Sequence, residues 1–110
     1  MAEIDDLLQA LRQFRDERDW AQFHNAKDLA LALSIETAEL NEQFLWKPAA
    51  EARPERVREE LADVLLYAFQ LADHYGWDIA QLMREKLALN AEKYPVAKSR
   101  GTATKYDELP

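Results

Sequence analysis

Cysteine is absent from the 110-residue chain. That excludes a disulfide, a thiolate metal site and a thiol nucleophile, and it permits a reducing compartment. Glycine and proline are scarce, at two and four residues. With 48% hydrophobic and 32% charged residues, this is the profile of a helical globular protein rather than a disordered one. No long apolar run exists: the longest nearly apolar stretch, Leu29 to Ile35, is far short of the roughly 20 residues that span a bilayer. The N-terminus Met1-Ala2-Glu3-Ile4-Asp5-Asp6 lacks the basic region of a secretion signal. A cytoplasmic location with no membrane partner is therefore expected, and one domain over 1–110 is expected at this length.

Positive charge is also in short supply. The net charge of −7 argues against a general nucleic-acid-binding surface, so no nucleic-acid partner is expected. The charge is unevenly spread. Between Lys86 and Lys105 stand five basic residues (Lys86, Lys93, Lys98, Arg100, Lys105) against the single acid Glu92, a net +4 that leaves −11 for the rest.

What is present is helical periodicity. Ile4, Leu7, Leu8, Leu11 and Phe14 recur at helical spacing and predict a first helix from about Ile4 to Arg18. A loop around Trp20 to Asn25 follows. The spacing of Leu29, Leu33, Leu40 and Phe44 predicts a second helix over roughly Ala26 to Trp46, with Pro48 forbidding continuation. After a linker from Lys47 to Arg53, Pro54 suits the first turn of a third helix running through Val57, Leu61, Val64, Leu65, Ala68, Leu71 and Ala72 to a stop at Gly76. Asp78 is the expected N-cap of a fourth helix, which Tyr94-Pro95 ends. Val96 to Pro110 reads as an irregular tail. With no period-two alternation, the expected architecture is all-α, a four-helix bundle.

Two of these helices carry acids where apolar residues belong. At about 100° per residue, Glu36 and Glu39 lie within about 60° of each other on an arc shared with Leu29, Ala32, Leu33 and Leu40. Glu60 and Asp63 flank the line of Val57, Val64, Tyr67 and Leu71. Four carboxylates converging on one cavity repel strongly unless a cation compensates them. Oxygen-only ligands suit Mg²⁺ or Mn²⁺. A di-iron bundle needs Glu-x-x-His pairs, and neither His24 nor His74 has a glutamate three residues before it. The competing reading of an E-x-x-E pair is an exposed, solvated helix face.

On the fourth helix, Lys86, Asn90 and Lys93 share a side with Ile79 and Met83. Acids on two helices and lysines on another can bind a metal-chelated polyphosphate; snorkelling lysine stems are the bland alternative. Trp20 and Trp46 fall at predicted helix ends, where an aromatic face can stack on a nucleobase or simply pack.

Together these residues resemble the MazG-like superfamily of nucleoside triphosphate pyrophosphatases, closest in pattern to its dCTP pyrophosphatase branch. The resemblance runs through Arg18-Asp19-Trp20-Ala21-Gln22-Phe23-His24, Ser34-Ile35-Glu36-Thr37-Ala38-Glu39-Leu40, Phe44-Leu45-Trp46-Lys47, Glu59-Glu60-Leu61-Ala62-Asp63-Val64-Leu65-Leu66-Tyr67 and Lys86-Leu87-Ala88-Leu89-Asn90-Ala91-Glu92-Lys93-Tyr94-Pro95. It implies Mg²⁺ held by Glu36, Glu39, Glu60 and Asp63, with Glu36 or Glu39 orienting the attacking water. It further implies a pyrimidine base between Trp20 and Trp46, and phosphate or sugar contacts from Lys86, Asn90, Lys93 and Tyr67. Arg100, Lys105 and Tyr106 would close over the site, and the chain would assemble as a homodimer or homotetramer. Asp28, Ala26 and Leu45 depart from the branch's usual residues and bear on base preference. The implied reaction is hydrolysis of dCTP or a modified dCTP to the monophosphate and pyrophosphate. Action on dUTP, noncanonical purine triphosphates or a broad set is the alternative within enzymes, and a non-catalytic helical oligomerisation module is the alternative outside them.

Overall fold

A computed structural model describes residues 2–110. The chain is all-α, with no strand among the described residues. Four long helices, α1 (Ala2–Glu17), α2 (Ala26–Glu42), α3 (Pro54–Tyr75) and α4 (Ile79–Lys93), are followed by the single turn α5 (Val96–Ser99). Short 3₁₀ turns occupy Ala21–Phe23, Ala49–Glu51 and Tyr106–Glu108. The chain divides into two compact units, one through Trp77 and one from Asp78 to Pro110.

In the first unit α2 lies along α3, and α1 packs on α3. Leu8, Leu29 and Ala72, one from each helix, are the buried apolar residues there. Arg12 of α1 reaches Asp73 of α3 with two donors of its guanidinium, Nε to Oδ2 at 2.9 Å and Nη2 to Oδ1. This forked geometry makes the pair a directional clamp as well as a charge contact.

Local chemistry sets each helix boundary. Asn25 caps α2: its Oδ1 accepts from the Asp28 amide at 2.9 Å and its Nδ2 donates to Asp28 Oδ2 at 2.8 Å. Asp28 thus supports the helix start reciprocally. Pro54 opens α3 at its first turn, where a missing amide hydrogen is harmless. Gly76 ends it at φ 72°, the left-handed region, with the amides of Gly76 and Trp77 returning to the carbonyls of Asp73 and Ala72. The end of α1 repeats this reversal: the amides of Asp19 and Trp20 return to the carbonyls of Asp16 and Arg15, and Asp19 takes φ 54°. Asp tolerates that region better than most side chains, and the reversal turns Trp20 back against Phe14 at 5.7 Å, edge on.

Helix α2 stops at Glu42, four residues short of the end its periodicity predicts. Residues 43–46 continue as turns, and Trp46 adopts φ 62°. Phe44 marks an apolar position that serves equally on a turn, so periodicity alone overruns the true end.

The second unit begins with the Asp78 cap, whose Oδ1 accepts from the Gln81 amide at 2.9 Å. The stretch after Pro95 has no long element, yet α5 forms on Pro95 and Tyr106 opens the final turn. Neither turn is long enough to announce itself as a period.

Candidate active site

Glu36 projects from α2 and Glu60 and Asp63 from α3, and one carboxylate oxygen of each lies within 4.8 Å of the others. The close pairing of α2 with α3 makes this convergence unavoidable, since Glu36 shares its arc with the buried Leu29. Glu39, one turn beyond Glu36 on α2, adds its charge to the surroundings of both Glu36 and Glu60.

The electrostatics are those of crowded like charges. Burial, then Glu39, Asp63 and Glu60, push Glu36 from the ordinary 4.5 up to about 7. Glu60 is raised as well, through desolvation and the neighbouring Glu39 and Asp63. Two buried oxygens, Glu36 Oε2 and Glu60 Oε2, have no hydrogen-bond partner. A buried carboxylate oxygen without a donor is costly, and a hard divalent cation coordinated by oxygen is the partner whose chemistry fits this donor set. Glu36, Glu60 and Asp63 can therefore hold such an ion.

Next to the cluster lies a cavity of about 350 Å³ lined by Leu7, Ala10, Leu11, Phe14, Arg15, Trp20, His24, Asp63, Leu66, Tyr67 and Gln70. Its walls are mostly apolar, with a few polar groups, the composition of a small-molecule site. Asp63 belongs both to the cavity and to the acidic cluster. The structure thus brings Trp20 and Tyr67 together with the acids. Trp46 is not among the cavity residues and stands 93% exposed.

The remaining expected site residues lie in the second unit. Lys86, Asn90 and Lys93 occupy successive turns of α4. Lys93 Nζ stands 4.9 Å over the Tyr106 ring, and Tyr94 meets that ring edge on at 6.0 Å. Tyr106 is thereby fixed against the end of α4. Arg100 caps α5, its amide donating to the Val96 carbonyl, and Lys105 immediately precedes the last turn. Sequence reading missed Gln70 and His24 as cavity residues. The spacing Asp63, Tyr67, Gln70 puts one face of α3 through all three, so for Gln70 the signal was present.

With this geometry the chain's similarities agree. Residues 31–109 match the model of the MazG-like family. The dCTP pyrophosphatase 1 of Mus musculus is 42% identical over 115 residues, spanning 97% of this chain and 68% of its own. The dCTP pyrophosphatase 1 of Homo sapiens is 36% identical over the same shares. Among solved structures, a pyrophosphatase from Archaeoglobus fulgidus is 39% identical with a TM-score of 0.79, covering 84% of this chain and 93% of that one. A matched family model over most of the chain, relatives near 40% identity and an acidic cluster on two packed helices have one common reading: the chain belongs to the MazG-like family, on its dCTP pyrophosphatase branch, and is a nucleoside triphosphate pyrophosphatase.

Proposed function

We propose that this pyrophosphatase hydrolyses dCTP or a modified dCTP between the α and β phosphates, releasing the monophosphate and pyrophosphate, with Mg²⁺ as its cofactor. The observation that carries the reading is the pair of unpartnered buried oxygens on Glu36 and Glu60, beside Asp63, which also lines the Trp20 cavity. Glu36, Glu39, Glu60 and Asp63 are the ligand set, and Mn²⁺ is an acceptable substitute for an all-oxygen site. When bound, the cation supplies neutralisation of phosphate charge and an acidified water. Glu36 or Glu39 would orient the attacking water, and no covalent intermediate is required.

Trp20 offers its ring to the base, a contact worth roughly 1 to 3 kcal/mol, and Tyr67 faces the sugar. Trp46 has the exposure a second stacking face requires. For Lys86, Asn90, Lys93, Arg100, Lys105 and Tyr106 the role implied by family resemblance is contact with phosphate and sugar. The chain acts as one domain and works as a homodimer or homotetramer, because α2 is apolar on two sides: Leu29 is buried while Leu31 and Ile35 are exposed. No helix of the described residues is long and apolar enough to cross a membrane, and the cysteine-free composition suits a cytoplasmic enzyme.

Glu60→Gln and Asp63→Asn each remove a ligand while preserving shape. Both variants should lose magnesium-dependent pyrophosphate release by at least about a hundredfold and keep their far-ultraviolet circular dichroism. Full turnover in either would overturn the metal assignment. A panel of dCTP, 5-modified dCTP, dUTP and noncanonical purine triphosphates should place the cytosine nucleotides first.

A further inference from the structure

Gln70 stands one turn beyond Tyr67 and two turns beyond Asp63 on α3, and all three line the Trp20 cavity. Its Nε2 donates to the Leu66 carbonyl at 3.2 Å. That bond determines which way the amide lies, because a carbonyl accepts only from the NH₂ end and the flipped amide would set oxygen against oxygen. Oε1 is left with no donor among the described residues, on a residue that lines this cavity and the adjoining one beside His24 and Asp73.

The cavity's other polar side chains are Tyr67, Arg15, Asp63 and His24. Arg15 gives its Nε to Asp16 at 2.8 Å. Asp63 belongs to the acidic cluster. His24 is held toward its neutral form by burial and by the charge of Arg15. Gln70 is thus an uncharged group with an oriented, unused acceptor, in a cavity whose apolar walls are Leu7, Leu11, Phe14, Leu66 and the Trp20 ring and whose remaining neutral hydroxyl is that of Tyr67.

We propose that Gln70 determines base specificity: its Oε1 accepts a hydrogen bond from the exocyclic amino group of a cytosine-type base, and opposes the 4-keto oxygen of uracil or thymine. The inference rests on the nucleotide reading above and names the residue that selects within it. A keto base meets Oε1 lone pair to lone pair, and relief by flipping the amide breaks the bond to Leu66. A site that hydrogen-bonds one substrate group rejects an analogue lacking it far better than an apolar pocket rejects a missing methylene.

The test uses the full chain and two readouts, binding of dCMP and dUMP by calorimetry and turnover of dCTP and dUTP with Mg²⁺. Wild type should bind dCMP at least about tenfold more tightly than dUMP. Gln70→Leu should bring the two within about twofold by weakening dCMP. Gln70→Glu, which keeps an acceptor, should retain the amino preference. Equal affinities in wild type, an unmoved ratio in Gln70→Leu, or no more discrimination in Gln70→Glu than in Gln70→Leu would each overturn the proposal. Should Gln70→Leu misfold by circular dichroism, the 2-pyrimidinone deoxynucleotide makes the same test on the unmutated chain. It lacks any 4-substituent and should bind about tenfold more weakly than dCMP; equal binding overturns the proposal. If wild type discriminates dCMP from dUMP yet releases pyrophosphate from no nucleotide, the hydrolase reading fails and Gln70 keeps its role. Turnover without discrimination removes Gln70 alone.

Discussion

At Glu36 a half-buried carboxyl faces Glu39, Asp63 and Glu60, and its pKa rises from 4.5 to about 7. The folded state therefore holds a proton that the unfolded chain has already released between those values. Stability contributed by this group is present below pH 4.5 and declines as pH rises toward 7. In the metal-free protein the loss across that window is on the order of 2 kcal/mol once solvent screening is allowed for. Glu36→Gln removes the titration. Its thermal melts in EDTA should show a flatter pH profile than wild type and a higher midpoint at pH 8, while magnesium-dependent turnover is lost. Parallel profiles for the two proteins would mean that the acids do not repel as their geometry requires. Such a trade between stability and chemistry is what a residue retained for function is expected to show.

Between elements, the Arg12–Asp73 clamp holds α1 against α3 and thereby shapes one wall of the Trp20 cavity. Hydrogen bonding and charge from Arg12 keep Asp73 below its ordinary 3.8, and Arg12 itself is raised by the same contact. For a depressed carboxylate the contribution is present above the unfolded value and is lost as pH falls through the folded one. With Asp73 largely buried and Arg12 half exposed, Asp73→Asn should cost about 1 kcal/mol in urea unfolding at pH 7. The deficit should close as pH falls below the ordinary carboxylate value. A deficit that persists unchanged at low pH would assign the cost to packing rather than to the charge.

On the scale of the whole molecule, the first unit leaves Leu31 and Ile35 of α2 and Leu61 and Leu65 of α3 exposed, each by 45% or more. A solitary soluble chain rarely leaves so much apolar surface on two neighbouring helices uncovered. Sedimentation velocity should accordingly return a multiple of the 12.8 kDa chain mass. Ile35→Asp should shift the distribution toward monomer and lower the midpoint of unfolding, since burying one such side chain is worth about 1.5 to 3 kcal/mol. A monomeric wild type would show that these residues have no partner of this kind.

Periodicity, caps and composition sufficed for much of this protein. The four helices, the Asp78 cap, the Gly76 stop and the facing of Glu36, Glu60 and Asp63 toward the packed side of their helices could be read from spacing, because a helix places residues three and four apart on one face whatever surrounds it. The end of α2 could not, since turns at residues 43–46 carry apolar residues at the same interval. Nor could the union of Trp20 with Tyr67, Asp63 and Gln70. It depends on Asp19 entering the left-handed region and reversing the chain at the end of α1, and on how α1 lies against α3. Local rules specify which face a side chain occupies. Only packing decides what stands opposite, because the distance between two helices is set by all the side chains between them rather than by either sequence alone.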